Sequence, residues 1–189
     1  MLGAFLCGLV VVFAAILVVS GRSPSPIGPA VAAVGGPFHL QDQNGGVVSD
    51  ADMKGRPFLV FFGFTHCPDV CPTALFDISE VLKRLGRDAD RTGALFITVD
   101  PERDTPAVLK DYLANFDPHL RGLTGDPAAV QAALKVYRVY AKKVPLQGDD
   151  YTMDHTAVVY LMDKDGRFVA PFNLKRTPEA AADELRRYL

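Results

Sequence analysis

The chain has 189 residues and a formal net charge of −2, with its 20 Lys and Arg interspersed among 22 Asp and Glu. That balance leaves no basic stripe for a nucleic-acid partner, and three cysteines in a chain this long do not make a disulfide framework. The apolar content of 49% mixes a leading segment with a globular domain.

Residues 1–20 carry no charge, and 17 of them are apolar. At about 1.5 Å per residue, the run from Leu2 to Val19 nearly crosses a ~30 Å hydrocarbon core. This predicts an uncleaved anchor over residues 1–20. The alternative is a cleaved signal ending at Ala30-Val31-Ala32, which lies well beyond the apolar run. The first positive charge, Arg22, follows the span instead of preceding it, so orientation must be argued from chemistry further along. Cys7 reads as a small apolar residue of the span. Residues 21–36 are rich in Gly, Pro, Ala and Ser and predict a flexible tether. Residues 37–189 are enough to bury a core without disulfides.

Phe38–Asp42 and Val47-Val48, joined through Gly45-Gly46, predict a hairpin. Pro57–Phe64 is a continuous apolar run, as expected of a strand buried on both faces. Ala94–Val99 and Thr156–Met162 repeat the pattern, and the turn Asp163–Gly166 leads into a closing strand at Arg167–Ala170. Helical spacing places Leu75, Ile78, Leu82 and Leu85 on one face, stopped by Gly86. Val108 to Phe116, Val130 to Tyr140, and Leu185 with Tyr188 mark three more helices. Strands alternating with helices, then a terminal hairpin and helix, predict an α/β domain of thioredoxin-like type with a mixed central sheet.

Four helices share one opening device, a residue followed by proline: Thr105-Pro106, Asp126-Pro127, Thr177-Pro178 and Cys71-Pro72. Proline suits the first helical position because its missing N–H is not needed there. The preceding residue is then the N-cap, which in three cases is Thr or Asp. In the fourth it is Cys71. A sulfur among the free N–H groups of a helix start predicts a lowered thiol pKa and a reactive thiolate.

Cys67 lies four residues before Cys71, in a proline-stiffened loop after the first buried strand, where open α/β sheets place their ligands. Two inert core cysteines rarely occupy such a loop. The C-x-x-C spacing of thioredoxin-like oxidoreductases is absent, and two thiols cannot make a four-thiolate zinc site. A third ligand must come from elsewhere. His155, just before a buried strand, is the best placed, because in a thioredoxin-like fold that strand start faces the cysteine loop. Its structural alternative is a turn histidine capped by Asp154. His66 competes weakly, since adjacent side chains diverge, while His39 and His119 read as surface or packing residues. Two thiolates with one imidazole suit copper: thiolate selects Cu(I), and imidazole accepts either Cu(I) or Cu(II). Three ligands also leave a position open for transfer.

Gly63-Phe64-Thr65-His66-Cys67-Pro68-Asp69-Val70-Cys71-Pro72-Thr73 resembles the signature of the Sco/SenC family, and Val99–Thr105 and Asp154-His155-Thr156 match its other blocks in order. The similarity covers about residues 37–189. It implies a thioredoxin-like copper protein on one N-terminal helix, in a bacterial inner membrane facing the periplasm or a mitochondrial one facing the intermembrane space. It further implies Cys67, Cys71 and His155 as copper ligands and a role in assembling the binuclear copper site of cytochrome c oxidase subunit two. A copper donor and a thioredoxin-like reductant would be further partners. Thr156 stands where the family often has Ser.

Two other chemistries use the same thiols. A thiol–disulfide oxidoreductase would attack with Cys67 and resolve with Cys71, leaving His155 dispensable. A peroxidase is suggested by Val70-Cys71-Pro72-Thr73, but Pro68 stands where its threonine is expected. The Asp100–Asp104 block ends a strand and caps a helix, with partner docking as its functional alternative.

Overall fold

The computed structural model describes residues 33–189, which belong to one compact unit, Ala33–Leu189. The anchor expected over residues 1–20, most of the tether and Cys7 lie outside the described residues. No helix among the described residues is long and apolar enough to cross a membrane.

The chain runs β1 (His39–Asp42), β2 (Val47–Ser49), β3 (Phe58–Gly63), α1 (Val70–Leu85), β4 (Gly93–Thr98), α2 (Pro106–Leu113), β5 (Leu120–Thr124) and α3 (Pro127–Val136). Then come β6 (Ala141–Pro145), β7 (Tyr151–His155), β8 (Val159–Met162), β9 (Phe168–Pro171) and α4 (Pro178–Arg186). Seven strands form one sheet in the order β2-β1-β5-β4-β3-β8-β9. Strands β3, β4 and β5 are parallel, while β8 pairs antiparallel with β3 and β1 with β5. The mixed, thioredoxin-like sheet expected from the element order is therefore present.

Strand β3 occupies the centre because every residue from Phe58 to Gly63 is buried, as a strand covered by helices on both faces requires. Alternation sends its side chains to opposite layers. Phe61 packs with Phe96, and Phe96 with Tyr112 of α2, on the face that also takes α1. Phe62 points the other way, onto Tyr137 at the end of α3. The proline starts behave as expected in three helices. The side chains of Thr105, Asp126 and Thr177 accept hydrogen bonds from the N–H groups of Val108, Ala129 and Ala180.

Three strands escaped the sequence pattern. Leu120–Thr124 forms β5, whose alternation is broken by Arg121 and Gly122. Ala141–Pro145 and Tyr151–His155 pair only with each other, as a hairpin outside the main sheet. Thr156–Val158, expected in the third buried strand, lie between that hairpin and β8.

His119 joins two segments at the opposite end of β4 and β5 from the cysteine loop. Its Nδ1 lies 2.7 Å from Asp117 and its Nε2 3.0 Å from Asp90. Hydrogen bonds to Asp90 and Asp117 hold the imidazole above its ordinary pKa. A raised folded-state pKa stabilises fully below the unfolded value of about 6.5, and the contribution disappears as pH rises through the folded value. The stability difference between the native chain and His119→Gln, followed by urea denaturation from about pH 5 to about pH 9, is expected to narrow as pH rises. A pH-independent difference would show that the ion pairs contribute nothing.

Candidate metal centre

The cysteine loop leaves the carboxyl end of β3. Phe64 is buried beneath it, and the Cys67 N–H donates to the Phe64 carbonyl at 3.2 Å, curling the loop back on itself. Helix α1 then begins at Val70 with Asp69 as its N-cap. Cys71 is thus the second helical residue and not the cap, and Pro72 the third. The capping partner is instead the other sulfur: the Cys71 N–H points at Cys67 Sγ, 3.4 Å away.

That shift of register reverses the expectation for Cys71. Its side chain is fully buried against Gly63 and Phe96, and burial pushes the thiol well above its ordinary pKa. The thiolate predicted from a capping position is overturned because loss of water outweighs the field of the helix start. Cys67 is half-buried, so the two thiols differ in exposure.

His155 ends β7, and its Nε2 lies 3.7 Å from Cys71 Sγ. Its Nδ1 is 3.2 Å from the Thr156 carbonyl. A carbonyl only accepts, so Nδ1 carries the proton and Nε2 presents its lone pair to the sulfur. Burial lowers the His155 pKa, which favours the neutral ring needed for ligation. Phe64 stands edge-on to the imidazole with centroids 5.7 Å apart and so restrains its tilt. The ligand atoms of Cys67, Cys71 and His155 all lie within 4.8 Å of one another, a group that could hold one metal ion.

The other histidines stay apart from this group. His66 is exposed and meets the Thr65 hydroxyl at 3.1 Å, and His39 is an exposed residue of β1. Asp154 is exposed and does not cap His155.

Behind the three candidate ligands lies a polar layer that sequence reasoning noticed only as the Asp100–Asp104 block. Asp104 is fully buried and accepts from the Thr65 hydroxyl and the Thr98 hydroxyl, each at 2.6 Å. Burial pushes its carboxyl up, against the hydrogen bonds from Thr65 and Thr98. Arg103 and Tyr151 complete the layer, with the guanidinium carbon 3.7 Å from the Tyr151 ring centroid. The available signal was an Arg between two Asp just past a buried strand, but its partner Tyr151 is 48 residues downstream of Arg103.

Comparison with known proteins gives the chain its relatives. The sequence model of the SCO1/SenC family matches residues 28–189. The copper-bound structure of Bradyrhizobium japonicum ScoI is 68% identical, with a TM-score of 0.82 covering 83% of this chain and 100% of that one. An SCO2-like protein of Rickettsia felis is 38% identical over 155 residues, 81% of this chain and 76% of its own length. BsSco, described as having a disulfide switch and as a member of the Sco family of cytochrome c oxidase assembly proteins, is 25% identical with a TM-score of 0.64, over 86% of this chain and 96% of its own. With a family match over most of its length and the signature cysteines and histidine gathered at one point, this chain belongs to the SCO1/SenC family.

Proposed function

We propose that this protein is a copper carrier for cytochrome c oxidase assembly, in which Cys67, Cys71 and His155 hold the ion. The observation that carries this reading is the convergence of two sulfurs and one imidazole nitrogen within 4.8 Å. Two thiolates and one imidazole favour copper over harder ions. Among the described residues the group of His, Cys and acidic side chains that converges here has three members, so an acceptor's ligand has a coordination position to enter.

The chain's own residues divide the work. Cys67 and His155, both half-buried, meet an arriving ion first; Cys71 lies deeper and completes the shell. Because the Cys71 thiol is held protonated by burial, loading the site releases its proton. The Thr156 carbonyl keeps Nε2 of His155 free of a proton throughout. The recipient is the binuclear copper site of oxidase subunit two. An anchor over residues 1–20 and a tether over 21–36 keep the domain beside a membrane-bound acceptor, on the periplasmic side in a bacterium.

A second reading is favoured by the unequal exposure of the thiols. A Cys67 thiolate would attack an acceptor's disulfide, forming a mixed disulfide and releasing one acceptor thiol. Cys71 would then attack the Cys67 sulfur, closing a Cys67–Cys71 disulfide and releasing the second thiol with both electrons. His155 has no part in that exchange.

Metal analysis and X-ray absorption of the reduced full-length protein test the carrier reading. One copper per chain, in a shell of two sulfurs and one nitrogen, is expected; a shell with sulfur alone would remove His155 from the site.

A further inference from the structure

The two halves of the centre come from segments that share no backbone hydrogen bonds. Cys67 and Cys71 sit on the loop after β3 and the start of α1. His155 sits on the β6–β7 hairpin, which pairs with no strand of the main sheet. Something else must hold the imidazole at its separation from the sulfurs.

The five-residue turn Asp100–Asp104 touches both halves. It is closed on itself, with the Asp104 N–H donating to the Asp100 carbonyl at 2.9 Å. Its last residue grips the cysteine loop: Asp104 accepts from the Thr65 hydroxyl at 2.6 Å and from the Thr65 N–H at 3.1 Å, two residues before Cys67. Its first residue and Arg103 grip the histidine strand. The Tyr151 hydroxyl donates to Asp100 at 2.9 Å, and Arg103 Nη1 donates to the Tyr151 carbonyl at 2.9 Å. Arg103 Nε donates to Asp100 at 2.5 Å, which fixes the guanidinium between the two.

Strand alternation carries that grip to the ligand. Tyr151, Met153 and His155 share one face of β7; all three are partly buried, and Met153 packs on the core. The same guanidinium lies 5.9 Å from the Phe64 ring, whose edge contact restrains His155. Asp100 is only 2% exposed and Arg103 18%, so this pairing is shielded from competing water and salt.

We infer that the Asp100–Asp104 turn is a bracket that sets the distance between thiols and imidazole, with Arg103 and Asp100 as positioning residues for His155. The inference rests on the proposed ligand set and deepens it. It assigns to the block a role inside the domain, in place of the partner docking that the sequence suggested.

Arg103→Lys keeps a cation beside Asp100 but cannot reach Asp100 and the Tyr151 carbonyl together while stacking on the ring. Tyr151→Phe removes only the hydroxyl and serves as the milder variant. In the metal-free full-length protein, hydrogen exchange of the Tyr151–His155 amides is expected to quicken by about tenfold or more in Arg103→Lys, and less in Tyr151→Phe, with β3 and β4 unchanged. Cu(I) affinity is expected to fall about tenfold, within the range usual for groups that orient a ligand. In a His155→Ala background, Arg103→Lys should cause no further fall, because it acts through that ring.

Unchanged exchange across β7 would overturn the bracket, as would an equal loss of affinity with and without His155. Should His155→Ala alone bind Cu(I) as tightly as the native chain, the ligand assignment is wrong, and hydrogen exchange by itself then decides whether the bracket holds the hairpin.

Discussion

Replacing Cys71 by alanine is expected to lower copper affinity by more than about a hundredfold, beyond the 10–100-fold typical of residues that merely orient a ligand. The sulfur is the buried member of the trio and stands between the other two: 3.7 Å from His155 Nε2, with its own N–H on Cys67 Sγ. Among the described residues, the neighbouring His66 does not replace it, since its ring meets the Thr65 hydroxyl. His155→Ala should act differently on the two oxidation states. Two thiolates still suit Cu(I), so that ion is retained more weakly, while Cu(II) loses the imidazole that suits it and should be lost. Competition titrations with a chromophoric chelator measure both. The same titrations should show native affinity rising with pH, by up to about tenfold per unit for each thiol proton released, because the Cys71 thiol must lose its proton to solvent before its sulfur binds the metal. Equal losses of Cu(I) and Cu(II) in His155→Ala, or affinity flat in pH, would contradict this account.

Gly63→Ala is the substitution expected to damage fold and centre together. Gly63 ends β3 directly beneath the helix start, and a Cβ there would lie 2.7 Å from Cys71 Sγ and 2.7 Å from a ring carbon of Phe96. Neither neighbour is a flexible surface chain: both are fully buried. Overpacking of this kind costs about 1–3 kcal/mol, equivalent to a midpoint lowered by about 2–12 °C for a domain of this size. The sulfur must move or the helix must lift, so copper affinity should fall as well. Thermal denaturation of the metal-free protein separates the two effects. Combining Gly63→Ala with Cys71→Ala makes room for the new methyl, so the double variant should lose less stability than the sum of the single ones. Strict additivity would show that the sulfur does not crowd the glycine.

The pairing of these two residues explains what could be read in advance and what could not. The apolar run over β3, the proline starts capped by Thr105, Asp126 and Thr177, and the closing β8–β9 hairpin all declare themselves locally, through burial on both faces, fixed φ and turn residues. Strand β5 did not, because Arg121 interrupts its alternation to reach Asp42 across the sheet. The β6–β7 hairpin hid for a similar reason. Its residues are mostly half-buried or exposed, so no strong period-2 signal marks them.

The same division runs through the centre. Residue type alone pointed to its chemistry: two thiols four apart after a buried strand and an imidazole before another are the donors of a candidate soft, three-ligand group. Only the packed chain decided that Asp69 caps α1, that Cys71 is buried and protonated and not exposed and ionised, and that Asp100, Arg103 and Asp104 tie the two halves together. The physical reason is range. Donor chemistry and helix starts are set by neighbours within a few residues, whereas desolvation and the 84-residue step from Cys71 to His155 depend on which surfaces the completed fold brings into contact.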